Sequence, residues 1–156
     1  SDTYATGISL ITHQYQRDLP QAKSINYSKG IWLLPAIAAA GADDVLYYFN
    51  NQLLECPRSN VFVVTNKQEV LTPADGILLG VTRQHVLDIS QPLFTTRETN
   101  ITMAELQHAS EVFITSTTKG IMPVTQIDGK MVGNGQVGSI TQQLMQELAS
   151  FQKACM

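Results

Sequence analysis

Cysteine, charge and long apolar runs are all scarce in this chain of 156 residues. The two cysteines, Cys56 and Cys155, could form one disulfide. Two cysteines cannot form the disulfide framework typical of small secreted domains. We therefore expect a reducing, cytoplasmic setting. Charged residues make up 15% of the chain and the net charge is -3. Because the ten Lys and Arg form no run, we expect neither a nucleic-acid nor an anionic-membrane partner.

The longest uninterrupted apolar stretches, residues 31–40 and 61–64, are too short to span a bilayer. The first residues also lack the basic and apolar regions of a secretory signal. At 44% hydrophobic residues, a chain of this length can bury a sizeable core. We therefore expect residues 1–156 to form a single domain.

Helical periodicity and cap residues predict four helices, at residues 24–40, 81–89, 102–108 and 139–153. In the first, Pro35 predicts a kink and Gly41 stands where a C-cap glycine is expected. The third opens on a capping box formed by Thr102 and Glu105.

Alternating apolar residues and turn signals predict strands between these helices. Three pairs of strands flank short turns and are expected to form hairpins; two further strands, and one near the start of the chain, stand alone. The hairpins are predicted at 45–49 with 52–56, 61–65 with 69–71, and 122–127 with 130–132, and the single strands at 6–15, 93–98 and 111–115. Strands with interspersed helices predict a mixed-sheet α/β or α+β domain.

Familiar catalytic fingerprints are missing from the sequence. We find no G-x-S-x-G, no Walker A loop and no G-x-G-x-x-G. His13, His85 and His108 have no second ligand at metal spacing and are expected at the surface or in caps rather than on zinc. We therefore predict no metal site.

Three segments carry a resemblance to a known family. The first is Lys23-Ser24-Ile25-Asn26-Tyr27, before a predicted helix; the second is LECPRSNVFVV at 54–64 with LLGVTR at 78–83; the third is EVFITSTT at 111–118 with IMPV and IDGK. In order and spacing they resemble the class-IV aminotransferases, which are fold-type-IV pyridoxal-phosphate (PLP) enzymes. The group includes D-amino-acid and branched-chain aminotransferases and aminodeoxychorismate lyases.

The resemblance implies a fold and a domain organisation. Family members are about twice as long, with a small N-terminal domain before a large PLP-binding domain, and residues 1–156 resemble the large domain alone. That domain is a mixed sheet forming a partial barrel flanked by helices. The resemblance also implies a homodimer.

The same resemblance gives roles to Lys23 and Glu55. Lys23 matches the lysine whose amine reaches the aldehyde carbon of PLP, and which afterwards carries a proton between the substrate Cα and the cofactor's C4′. Glu55 matches the carboxylate that faces the pyridine nitrogen and favours its protonated form. Without the resemblance, both would be interpreted as surface charges.

Further matches concern the cofactor's phosphate and ring. The Gly80-Val81-Thr82 turn opens a predicted helix, and a helix N-terminus is a ready phosphate site. The Ser116-Thr117 pair matches the family's second phosphate-binding segment, and Leu78 matches the apolar residue that packs against the ring. Taken alone, these residues fit an ordinary loop-to-helix junction, strand-edge hydroxyls and plain core.

The sequence departs from the family at Pro57-Arg58, where the better-known members carry small residues. Arginine binds carboxylates in bidentate fashion, so one hypothesis places Arg58 at the substrate carboxylate. The alternative is that it points to solvent or to the other domain. Thr118 is a second candidate for substrate contact, whereas Arg83 is expected to pair with a carboxylate and Cys56 to lie in the core.

The implied activity is amino-group transfer between an amino acid and a 2-oxo acid. One alternative is aminodeoxychorismate lyase, which uses the same lysine and cofactor for elimination of pyruvate. The other is a binding or assembly domain without activity of its own. The sequence leaves open the substrate side chain and the choice between L and D stereochemistry.

Overall fold

A computed structural model describes residues 2–16 and 28–155, and over these ranges the chain is a mixed α/β fold with one ten-stranded sheet. The helices are α1 Thr3–Thr6, α2 Ser28–Trp32, α3 Leu34–Ala39, α4 Val81–Ser90, α5 Met103–Gln107 and α6 Ser139–Ala154. The strands are β1 Ile8–Gln14, β2 Asp44–Phe49, β3 Gln52–Leu53, β4 Glu55–Cys56, β5 Ser59–Val64, β6 Val70–Thr72, β7 Thr96–Glu98, β8 Glu111–Ser116, β9 Gly120–Ile127 and β10 Lys130–Met131.

The sheet is mixed, with the strand order β3-β2-β1-β9-β8-β5-β6-β7. Strand β1 runs parallel to both β2 and β9, and β6 runs parallel to β7, while the other pairs are antiparallel. The sheet curls into a partial barrel, which confirms the predicted fold class.

Alternation along β5 and β8 divides the core between the two faces of the sheet. The rings of Phe62 and Phe113 stack on one face with their centroids 5.0 Å apart, and they pack with residues of α4 and α6. Val61 and Ile114 face the other way, into a cluster that also holds Leu10 and residues near α5. Strand β5 is buried along its whole length. The end of β5 therefore lies between two packed layers.

Local signals predicted the turns and caps correctly. Asn50 and Asn51 have φ values of 50° and 63°, and Asp128 and Gly129 have 52° and 78°, as tight hairpin turns require. The capping box of α5 forms both of its hydrogen bonds. Gly41 follows α3 with φ 67°, as predicted.

Several predicted boundaries were wrong. The described part of the helix expected over 24–40 is two short helices, because Pro35 lacks an N–H and stands in the first turn of α3. The strand expected over 52–56 divides at Leu54, so that β3 pairs with β2 and β4 pairs with β5. The strand expected from residue 93 begins only at Thr96, since the Phe94 amide still donates to Ser90 at the end of α4. No helix was predicted at α1, and the strand expected from residue 6 begins only at Ile8.

Both cysteines are free, Cys56 in the core as expected and Cys155 at the surface. Burial, together with the nearby carboxylates of Asp44 and Glu55, raises the pKa of the Cys56 thiol well above its ordinary value. Within the described ranges, no helix has the length and apolar character needed to cross a bilayer.

Candidate functional site

Lys23, predicted to carry the cofactor, lies outside the described residues. The described part of the chain resumes at α2, five residues further on. The other predicted site residues are all described, and they lie at one end of the β4, β5 and β8 strands.

Glu55 is a buried carboxylate with a defined backbone partner. It stands on β4 opposite Asn60 of β5 and is 3% exposed. Its Oε1 accepts a hydrogen bond from the Leu78 amide at 3.0 Å. A buried carboxylate is costly unless hydrogen bonds or an opposite charge compensate for lost hydration. The Leu78 amide supplies part of that compensation.

Asn60 shares a hydrogen-bond network with Glu55, and the sequence interpretation gave it no role. Its Nδ2 donates to the Leu78 carbonyl at 2.7 Å, and its Oδ1 accepts from the Gly80 amide at 3.2 Å. Asn60 is 5% exposed, and both bonds are partly buried. The signal available in the sequence was a polar amide at the head of the apolar run 61–64.

Gly80 is required for close approach rather than for backbone freedom. Its φ is -70°, which any residue adopts, but a Cβ there would stand 2.5 Å from Asn60 Oδ1. Gly80 is the N-cap of α4 and makes no side-chain cap hydrogen bond. The first amides of α4 follow directly, with Val81 exposed and Thr82 buried. An N-terminus without a side-chain cap is suited to an anion.

Arg83 anchors the first turn of α4. Its Nη2 donates to the Pro73 carbonyl at 2.9 Å and to Glu98 Oε1 at 2.7 Å. The predicted pairing of Arg83 with a carboxylate is therefore confirmed. Arg83 is buried, so its bond to Pro73 fixes the helix start against the loop after β6, and its ion pair with Glu98 fixes it against β7.

The hydroxyl cluster at the end of β8 faces in two directions. Thr115 is opposite Asn60, on the face covered by α4, and its Oγ1 is buried without a hydrogen-bond partner among the described residues. Ser116 points to the other face, where its Oγ accepts from the Lys119 amide at 3.1 Å. Thr117 is exposed in the turn that follows. The cluster thus serves both faces of the strand.

A cavity of about 380 Å³ opens on the Ser116 side. It brings together Arg58, Thr118 and Ser116 from the predicted set. Residues without a predicted role also line it, and they contribute charge as well as apolar surface. They include Lys119, Asp43, Asp44, Leu34 and Ile37.

The cavity contains charges of both signs. Burial raises the pKa of the Asp44 carboxyl, while the amide of Val45 and the charges of Lys119 and Arg58 act in the opposite direction. Asp43 accepts a hydrogen bond from the Ser9 amide at 2.9 Å. Such a cavity can hold a small molecule with an anionic group close to Arg58 or Lys119.

Two other observations bear on the chemistry. A separate cavity of about 320 Å³ is lined by α5 and the β9–β10 hairpin and contains none of the predicted site residues. Across residues 2–16 and 28–155, no group of three or more His, Cys, Asp or Glu side chains is placed to hold a metal ion.

Known proteins match this chain over most of its length. The family model for amino-transferase class IV matches residues 2–127. A D-alanine aminotransferase of Listeria monocytogenes serotype 1/2a (strain 10403S) is 35% identical over 92% of this chain and 50% of its own length. The chain thus spans about half the length of the curated relatives it matches.

Solved structures of known proteins share this fold over most of the chain. The T.th. branched-chain amino acid aminotransferase with pyridoxamine 5'-phosphate has a TM-score of 0.86 at 27% identity, over 94% of this chain and 50% of that one. A Legionella pneumophila protein described as a candidate 4-amino-4-deoxychorismate lyase has a TM-score of 0.85 at 28% identity, over 96% of this chain and 58% of its own.

Proposed function

This chain belongs to the amino-transferase class IV family, and we propose that it is the cofactor-binding part of a PLP-dependent aminotransferase. The reaction would move an amino group between an amino acid and a 2-oxo acid. The single observation that carries the proposal is the network in which Glu55 and Asn60 together hold the segment from Leu78 to Gly80. The solved relative with pyridoxamine 5'-phosphate supports the choice of cofactor.

The described residues fit PLP at both of its polar ends. A buried carboxylate at Glu55 suits a protonated ring nitrogen, and the α4 N-terminus, which lacks a side-chain cap, suits a phosphate. The close approach at Gly80 lets Asn60 hold the start of α4, where the amides of Val81 and Thr82 follow. When bound, PLP supplies an electron-withdrawing ring that stabilises negative charge at the substrate Cα.

Lys23 would hold the cofactor's aldehyde carbon and then move a proton between the substrate Cα and C4′. A lysine can do this only if a fraction of its side-chain amine is deprotonated near pH 7, and burial or neighbouring cations favour the deprotonated form. Glu55 would keep the ring nitrogen protonated throughout, since its carboxylate is fixed by the Leu78 amide.

Phosphate and ring contacts would come from the turn and from β8. The amides of Val81 and Thr82, with the Thr82 hydroxyl, would bind the phosphate from one side, and the Ser116-Thr117 pair from the other. Leu78, held through both its N–H and its carbonyl, would pack against the ring. These contacts would orient the cofactor before the substrate arrives.

The cavity beside Ser116 is our candidate for the substrate. Arg58 would bind a substrate carboxylate there, and Thr118 would add a hydroxyl contact. Ser116 also lines the cavity, so the proposed substrate and phosphate contacts would meet at this end of β8. The N-terminal domain of the family would complete the site and choose the side chain.

A second candidate reaction, release of pyruvate from aminodeoxychorismate, is favoured by the Legionella pneumophila structure. It would use the same residues toward the same cofactor. We further propose that the full-length protein is a homodimer, as the family resemblance implies, and that it works in the reducing cytoplasm, in line with the two free cysteines of this chain. An inert binding domain is the remaining alternative.

The test is made on the full-length protein that carries this chain. We expect the purified protein to absorb visible light when PLP is supplied, and to exchange amino groups between an amino acid and 2-oxoglutarate or pyruvate. Pyruvate release from aminodeoxychorismate without such exchange would favour the lyase. If neither the absorbance nor either activity is observed, an inert binding domain is the alternative that remains.

A further inference from the structure

Asn60 connects the two halves of the candidate cofactor site. One end of its side-chain amide bonds the carbonyl of Leu78, expected at the ring, and the other end bonds the amide of Gly80, where the phosphate turn begins. The amide group is planar and rigid, so these two backbone groups are held at a fixed separation. No other side chain among the described residues hydrogen-bonds to both Leu78 and Gly80.

The strand pairing of Asn60 extends this connection across the sheet. Its register partners are Glu55 on β4 and Thr115 on β8. In an antiparallel pair, directly opposite side chains project to the same face. Asn60 therefore stands between the carboxylate expected at the ring nitrogen and the buried hydroxyl of Thr115.

We propose that Asn60 is a positioning residue that sets the distance between the ring and phosphate parts of the cofactor site. The proposal rests on the proposed function, since it presupposes that PLP binds here. Asn60 does not need to touch the cofactor. It acts through Leu78 and Gly80, and its loss would free the turn and displace the first amides of α4 from the phosphate.

A substitution at Gly80 should disturb the same hydrogen bond from its backbone side. Because a Cβ at Gly80 would stand 2.5 Å from Asn60 Oδ1, Gly80→Ala must push the turn and the amide apart. The φ of -70° brings no backbone strain of its own. Gly80→Ala should therefore reproduce the effect of losing Asn60, although it removes no hydrogen-bonding side chain.

The experiment compares binding of PLP and of pyridoxal, which lacks the phosphate, to the full-length protein by absorbance titration. For Asn60→Ala, Asn60→Asp and Gly80→Ala, we expect PLP affinity to fall by about 10- to 30-fold, the effect of one or two hydrogen bonds. Pyridoxal affinity should fall by only about twofold to threefold. Asn60→Asp should show the largest loss, because its added negative charge also repels the phosphate.

Thr72→Val is the matched control. Thr72 is fully buried and donates to the Val61 carbonyl at 2.7 Å, a bond as short as that from Asn60 to Leu78. Thr72→Val should lower the melting temperature but leave the ratio of PLP to pyridoxal affinity unchanged. If Asn60→Ala fails to fold, Gly80→Ala still decides the question, because it adds no charge near the phosphate.

The outcomes separate this inference from the proposed function. Wild-type binding of PLP, with an unchanged affinity ratio in all three variants, would overturn the role of Asn60 alone. Absence of PLP binding by the wild type would overturn the proposed function and the inference with it. A ratio that falls in the three variants but not in Thr72→Val is the expected result.

Discussion

Oε1 of Glu55 accepts a hydrogen bond from the backbone amide of Leu78 at 3.0 Å, across 23 residues of sequence. The residue proposed to face the ring nitrogen is thus tied directly to the residue proposed to pack against the ring. A ligand ring that engages Glu55 at its edge would find the Leu78 side already positioned, because both are fixed to the same short strand pair.

Glu55→Gln tests the electrostatic part of this relationship. Glutamine keeps an oxygen for the Leu78 amide, so the fold should persist, but it lacks the charge that favours a protonated ring nitrogen. A charge-assisted hydrogen bond is worth about 1.5–3 kcal/mol, so we expect kcat to fall by about 10- to 100-fold. Steady-state transamination assays measure the change.

Glu147→Gln, an exposed position on α6, serves as the control and should leave kcat unchanged. Wild-type activity in Glu55→Gln would show that the carboxylate has no role at the ring. The melting temperature of both variants establishes that the fold is intact.

Arg58→Ala tests the cavity as the place of the substrate carboxylate. Loss of a charge-assisted contact should raise the KM for the amino acid by about 10-fold or more, with a smaller change in kcat. Arg97→Ala is matched in charge but removes an exposed arginine that pairs with Glu69 at 3.4 Å. Identical KM and kcat in Arg58→Ala and the wild type would end the substrate hypothesis for Arg58.

Asp44→Asn should reveal the cost of burying a carboxylate in the cavity. Burial raises the pKa of Asp44, so the protonated form is favoured in the folded state. The stability from this group is complete below its ordinary pKa of 3.8 and is lost as pH rises through the higher folded pKa. Asp44→Asn should therefore unfold at a higher temperature than the wild type at pH 7.

That advantage should shrink as the pH falls below 3.8, where Asp44 becomes mostly protonated even in the unfolded chain. Thermal melts between pH 3 and pH 7 measure it, with exposed Asp88→Asn as the control. A wild type more stable than Asp44→Asn at pH 7 would mean that the nearby Arg58 and Lys119 outweigh burial.

Thiol labelling should distinguish the two cysteines. In the native protein, a disulfide reagent at pH 8 should label one of the two thiols of this chain. That thiol is Cys155, because it is exposed, while burial raises the pKa of Cys56. Cys155→Ser should abolish that reaction, and unfolding should restore a reactive Cys56. Rapid labelling in folded Cys155→Ser would show that the core around Cys56 opens readily.

Elements governed by neighbouring residues could be predicted from the sequence. The Asp128-Gly129 turn, the Thr102 capping box and the alternation along β8 depend on residues within a few positions of each other. Interruptions within a strand were harder to predict from the sequence. The split at Leu54 arises because β3 and β4 find partners on different strands, which periodicity does not encode.

The sequence motifs name the residues of the proposed site, but not the hydrogen bonds between them. The motifs brought Glu55, Leu78 and Gly80 together, yet the role of Asn60 depends on contacts 18 and 20 residues away. Strand alternation indicates that Thr115 and Ser116 face opposite ways, but which face α4 covers is decided by tertiary packing. The position of Lys23 remains a prediction, since it lies outside the described residues.

The attachment of PLP to Lys23 is the central claim, and one measurement tests it directly. Borohydride reduction of the full-length protein loaded with PLP, followed by peptide mapping, should place the cofactor's mass on the peptide containing Lys23. Lys23→Ala should give no such label while its melting temperature stays close to that of the wild type. A label on another lysine, or no label on the wild-type protein, would contradict the account.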